Sequence, residues 1–196
     1  MRPVALLLLC VALPLNAANE GWRVTAQDFH EGRIDEAHSR ASSVLAAVGP
    51  DAYGREEIPK VQALLAARTM KRKYEALVGK WRCASTQLGA DGVFAYPPFR
   101  CEISLTEDGT LQFAKISGSQ RRHGQLFPFT EHGWVLLGGS TVNDDPLRMY
   151  SGLLADADGE SMEFDTVGLA ETLADGRIRI ILDAEDDRVE IYTLAR

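Results

Sequence analysis

From Val78 onward, apolar residues recur with a period of two, and Asp-Gly pairs cut the pattern into short runs. Trp81, Cys83 and Ser85 alternate with Arg82 and Ala84, and Phe99, Cys101, Ile103 and Leu105 share one face of the next run. Leu111 with Phe113, Val135 with Leu137, and Val167 with Leu169 continue the pattern, followed by Ile178, Ile180 and Leu182, then Val189, Ile191 and Thr193. The separators are Asp91-Gly92, Asp108-Gly109, Asp158-Gly159 and Asp175-Gly176. An Asp-Gly pair between alternating runs signals a tight hairpin, because such turns require positive φ. The pattern predicts about eight antiparallel strands, and a meander of that number closes most economically into a barrel, which leaves no exposed edge.

Upstream the period is helical. Ile34, Ala37, Ala41, Val44, Leu45 and Val48 fall on one face, and Gly49-Pro50 stops that helix. A second helix starts at Pro59, a residue suited to a first turn, and runs through Val61, Leu64 and Leu65 with room to continue toward Tyr74 and Leu77. Each is amphipathic and needs a surface to cover. The expected organisation is a signal peptide over 1–18, a helical segment over 19–77 and a barrel domain over 78–196.

The leader is read from Arg2, the apolar run between Val4 and Leu15, and the small residues Ala17 and Ala18, after either of which cleavage is expected. The run is too short to span a bilayer, which takes about 20 apolar residues, so no membrane span is expected in the mature chain. Leu9, before Cys10, is not the small residue that lipid attachment requires. Of the three cysteines, Cys10 leaves with the leader, and Cys83 and Cys101 remain. An exported chain keeps disulfides, and these two fall on neighbouring strands. The rival is a zinc site, which takes about four ligands at close spacing, and no pair of histidines lies near either cysteine. The expected location is periplasmic or secreted.

The formal net charge is −7, and loss of Arg2 makes the mature part more acidic still. An acidic chain repels nucleic acid and anionic membranes, so neither is an expected partner. The charge is uneven. Positions 68–82 hold six basic residues and one acidic, whereas from Asp144 onward acids outnumber bases 14 to 5.

Gly79-Lys80-Trp81-Arg82-Cys83, Tyr96-Pro97-Pro98-Phe99-Arg100-Cys101, and Lys115-Ile116-Ser117-Gly118-Ser119-Gln120-Arg121 followed by Gly124-Gln125-Leu126-Phe127-Pro128 together resemble the family of secreted bacterial proteins named domain of unknown function 4893. Val167-Gly168-Leu169-Ala170-Glu171 and Arg177-Ile178-Arg179-Ile180-Ile181 fit it too, while Trp81 stands where the resemblance leads one to expect tyrosine. The resemblance implies export and the two-cysteine arrangement, and it implies no activity. Gly79-Lys80-Trp81 is also similar to the Gly-x-Trp opening of lipocalins, which implies an arginine from the barrel's end over the tryptophan, here Arg179 or Arg196. The fold class expected is α+β: an N-terminal helical pair, then a lipocalin-like antiparallel barrel of roughly eight strands.

The strand half has one polar concentration: Lys115, Ser117, Ser119, Gln120, Arg121, Arg122 and His123. Lys115 follows the core positions Leu111 and Phe113 on the same parity, so it belongs to a rim or a cavity wall. The expected ligand-binding residues are Lys115, Ser119, Gln120, Arg121 and Trp81, whose donors suit an anionic or hydroxylated ligand. The bland alternative is a solvated edge with a bulge at Gly118. Ser119 with His123 offers a hydrolase reading, but the strained Gly-x-Ser-x-Gly turn is missing and nothing nominates an orienting third residue. The acidic stretches 156–160 and 183–187 lack calcium-loop spacing, and no phosphate-cradling glycine loop or His-Glu-x-x-His pattern occurs. No catalytic residue, metal or cofactor is therefore expected. The functional expectation is a non-enzymatic module that binds an unknown small molecule or a periplasmic protein. An inhibitor of a cell-wall lytic enzyme is the alternative, since an acidic surface complements a cationic target.

Overall fold

The computed structural model describes residues 21–152, 164–185 and 187–196. The expected signal peptide, the Asp158-Gly159 turn, the acidic stretch 156–160 and Asp186 lie outside the described residues.

Eight strands follow one another along the chain: β1 (Gly79–Gly89), β2 (Gly92–Leu105), β3 (Leu111–Lys115), β4 (Gln120–Thr130), β5 (Gly133–Val142), β6 (Asp165–Thr172), β7 (Ile178–Glu185) and β8 (Arg188–Ala195). Each pairs antiparallel with the next, and β8 returns to β1 to close the barrel. The turn chemistry behaves as the sequence requires. Gly109 and Gly176 have φ of 83° and 95°, which side chains rarely tolerate. Trp81 lies opposite Cys101 and Cys83 opposite Phe99, so the two cysteines are diagonal neighbours. They form the Cys83–Cys101 disulfide across a Cα–Cα distance of 5.9 Å.

One half of the barrel interior is filled. Trp81, Ile103, Phe113, Leu126, Trp134, Leu136, Ile180 and Leu194 pack there with the disulfide. At that end the Trp81 Nε1–H donates to the Leu77 carbonyl at 2.8 Å. The Arg196 guanidinium lies 4.4 Å from the centre of the Trp81 ring and donates to the carbonyls of Ala76 and Val78. Of the two arginines expected over Trp81, it is Arg196. Arg179 points to the outer face, where it donates to the carbonyls of Leu64 and Leu65 and pairs with Glu171 at 2.6 Å.

The helices cover the barrel's outside rather than building a core of their own. They are α1 (Asp28–Asp35), α2 (Ala37–Ala46) and α3 (Ile58–Leu65). Ala41, Val44, Leu45, Val48 and Val61 pack on Leu88, Leu169, Ile181, Val189 and Ile191. Trp22 and Ile34 cover Val135, Leu137 and Val167. This coverage explains why several strands are apolar on both parities. Val135, Leu137, Val167, Leu169, Val189 and Ile191 face the helical layer, while Leu136, Tyr192 and Leu194 face the interior.

Two helix boundaries differ from expectation. The single helix expected across Ile34 to Val48 begins earlier and breaks at Glu36, whose φ and ψ of −99° and 5° leave the helical basin. The second helix does not continue past Leu65. Its last carbonyls are taken by Arg179, and the next segment spends its backbone on the sheet, Ala174 N–H donating to Arg68 and Met70 N–H to Thr172. Tertiary pairing overrides the weak helical periodicity there.

Candidate functional site

An up-and-down barrel gathers the β1–β2, β3–β4, β5–β6 and β7–β8 connections at one end, opposite the Trp81 plug. At that end the interior is open. A cavity of about 520 Å³ is lined by Gln87, Phe94, Tyr96, Gln120, Ser140, Phe164 and Asp165, with Arg122 and Glu190 at its base. That volume lies in the range of small-molecule sites, about 300–1,000 Å³.

The base is a buried ionic network drawn from across the barrel. Arg122, on β4, directs Nη2 to Glu190 on β8 at 2.5 Å, Nε to the Tyr192 hydroxyl at 3.0 Å, and Nη1 to Thr166 on β6 at 3.1 Å. The other Glu190 oxygen accepts from the Ser85 hydroxyl on β1 at 2.5 Å. Burial opposes charge on both members of the pair. For Glu190, the Arg122 guanidinium and the Ser85 hydroxyl outweigh it and hold the carboxyl below its ordinary range. For Arg122, Tyr192 and Glu190 outweigh burial and raise its pKa. Burial raises the Tyr192 phenol, so it stays protonated. The guanidinium has five donors, and three partners account for three of them, which leaves capacity toward the cavity.

The polar strip divides at Gly118, whose φ of 88° ends the alternation. Lys115 is buried inside as its parity implies, but its ammonium donates to the Gln120 carbonyl and rests 4.0 Å from the centre of the Phe99 ring. It closes the β3–β4 turn, and burial lowers its pKa. Gln120 lines the cavity. Arg121 lies on the outer parity and pairs with Asp144 at 3.2 Å, while Trp81 is in the plug, remote from the cup. Ser119 is exposed, and its carbonyl accepts from the Asn143 N–H. His123 turns outward, with Nδ1 3.1 Å from the Met149 sulfur, so Ser119 and His123 are not hydrogen-bonded to each other. Of the expected ligand residues, the structure brings Gln120 alone to the cavity.

The residues that shape its base, Arg122, Glu190, Tyr192, Ser85 and Thr166, were not singled out as a group by the sequence. Arg122 shares parity with Leu126, an interior residue, and Glu190 shares it with Tyr192 and Leu194. For Glu190 the available signal was a charge embedded in a strand that is apolar on both parities, whereas Arg122 lay within the polar run that opens β4. Among the described residues no cluster of His, Cys, Asp or Glu gathers to hold a metal, and no helix is long and apolar enough to cross a membrane.

Fold and cavity together define an eight-stranded up-and-down β-barrel, plugged at one end, cupped at the other and sheathed in helices on one side. Residues 22–192 match the family described as domain of unknown function (DUF4893), and the chain belongs to that family. No curated protein and no solved structure matches it.

Proposed function

We propose that this protein is an exported, non-enzymatic binding module that holds an uncharged polar molecule in the open cup. The observation that carries the reading is the charge balance at the cup's base. Arg122 is matched by Glu190, so at the base a ligand meets unused hydrogen-bonding capacity rather than an unbalanced charge. Gln87, Gln120 and Ser140 add donors and acceptors, and Phe94, Tyr96 and Phe164 offer ring surface. Export is supported by the Cys83–Cys101 bond, which persists in an oxidising compartment such as the periplasm.

Native mass spectrometry of protein recovered from its own cell envelope tests this. The expected result is a retained small-molecule mass that a Gln87→Trp variant, built to fill the cup, no longer carries. Recovery of empty protein, combined with identical melting temperatures for both forms across a panel of polar solutes, would remove the proposal. Ser119 and His123 are not hydrogen-bonded to each other, so the hydrolase reading gains no support from their geometry.

A further inference from the structure

The cluster of bases between positions 68 and 82 has no role in the cup. Part of it lies at the opposite end of the barrel, beside a second cavity. There a cleft of about 610 Å³ opens between the 72–74 segment and the ends of β3, β4 and β5. Leu105, Leu111, Leu126, Phe127 and Trp134 supply its walls. Tyr74 at its edge is 49 % exposed and Leu105 is 44 % exposed, so apolar surface stands open to water beside the cleft.

The charge of this cleft differs from that of the cup. Its charged lining residues are Arg72 and Lys73, both cationic, whereas the cup's lining mixes Arg122 and Arg188 with Asp91, Asp165, Asp183 and Glu190. Arg72 adds an independent observation. Its Nε is buried yet has no hydrogen-bond partner among the described residues. A buried donor without an acceptor is costly, and because Arg72 lines the cleft an anion seated there would offset that cost through the same guanidinium. Apolar walls ending in a guanidinium with one unpartnered donor and an ammonium fit one ligand chemistry.

We infer that this cleft binds a single-chain amphipathic anion, its apolar chain against Leu111, Leu126 and Trp134 and its head group on Arg72 and Lys73. The head is a carboxylate or a phosphate monoester, both of which a guanidinium recognises. The site is separate from the cup, and either assignment stands without the other.

The probe is 12-bromododecanoate, whose bromine quenches tryptophan fluorescence on contact, added to the full chain with its disulfide intact. The expected result is saturable, one-to-one quenching below the concentration at which the probe forms micelles. Trp134→Phe should lose most of the quenching while keeping affinity by calorimetry. Arg72→Gln should weaken binding about tenfold, as loss of one charge-assisted hydrogen bond implies. Dodecanoate and dodecyl phosphate should compete, and their ranking identifies the head group; dodecanol should compete at least about tenfold less well. The inference is overturned by unsaturable quenching, by equal competition from dodecanol and dodecanoate, or by unchanged affinity in Arg72→Gln. Sedimentation with phosphatidylglycerol vesicles without binding of the monomeric probe would also overturn it, assigning the basic strip to a membrane surface.

Discussion

Removing both members of the ion pair at the cup's base should cost no more than removing one. Glu190 and Arg122 have side chains only 5 % and 16 % exposed, so neither charge is well solvated without the other. Glu190→Leu leaves the guanidinium buried with Tyr192 and Thr166 as its remaining partners. An uncompensated buried charge of this kind costs about 3–5 kcal/mol. Arg122→Met strands the carboxylate with Ser85 and should cost a similar amount. The double variant removes both charges and leaves three neutral hydroxyls without one partner each, at roughly 1 kcal/mol apiece. Independent effects would sum to about 6–10 kcal/mol, so the predicted coupling is at least about 3 kcal/mol. The assay is urea unfolding followed by tryptophan fluorescence, with the disulfide kept oxidised. A pH series adds a check. The folded pKa of Glu190 is depressed, so its stabilisation is complete above the unfolded value of about 4.3 and is lost as pH falls through the folded value. The stability gap between wild type and Glu190→Leu should therefore narrow in acid. A cost below about 1 kcal/mol, strict additivity, or a pH-independent gap would refute the reasoning.

The disulfide and the α1 contact give two further expectations. Cys83 and Cys101 are 18 residues apart in sequence and buried, so the double alanine variant should lose about 3 kcal/mol, and wild type in reductant should show a similar fall in urea midpoint. His30 is buried with Nδ1 2.7 Å from the Tyr150 hydroxyl, which also accepts from the Gln27 N–H at 3.0 Å. That arrangement suits a neutral imidazole whose Nδ1 accepts a hydrogen bond from the phenol O–H. Burial lowers the His30 pKa, with Asp165 and Asp183 opposing and Arg33 assisting. Its contribution is thus present above the unfolded value of about 6.5 and is lost as pH falls toward the folded one. Urea midpoints should drop between pH 7.5 and 5 in wild type and drop less in His30→Gln.

The barrel was legible because its signals are local. Alternation in β1, β2, β3 and β7 and the positive φ demanded at Gly109 and Gly176 are properties of a few consecutive residues. The Cys83–Cys101 pairing followed from two adjacent strands, and the family likeness rested on contiguous motifs. Which parity faces inward was not local. In β5 and β8 both parities are apolar, and only the docking of Trp22, Ile34 and α2 on Val135, Val167, Val189 and Ile191 turns Trp134, Leu136, Glu190 and Tyr192 to the interior. Period two cannot choose between two apolar faces. For the same reason Arg121 and Arg122 were interchangeable until β4 paired with its neighbours beyond the break at Gly118. The hydrogen bonds of the cup's base join residues 44 to 105 positions apart in the chain, and closure of the barrel is what sets them within reach of one another.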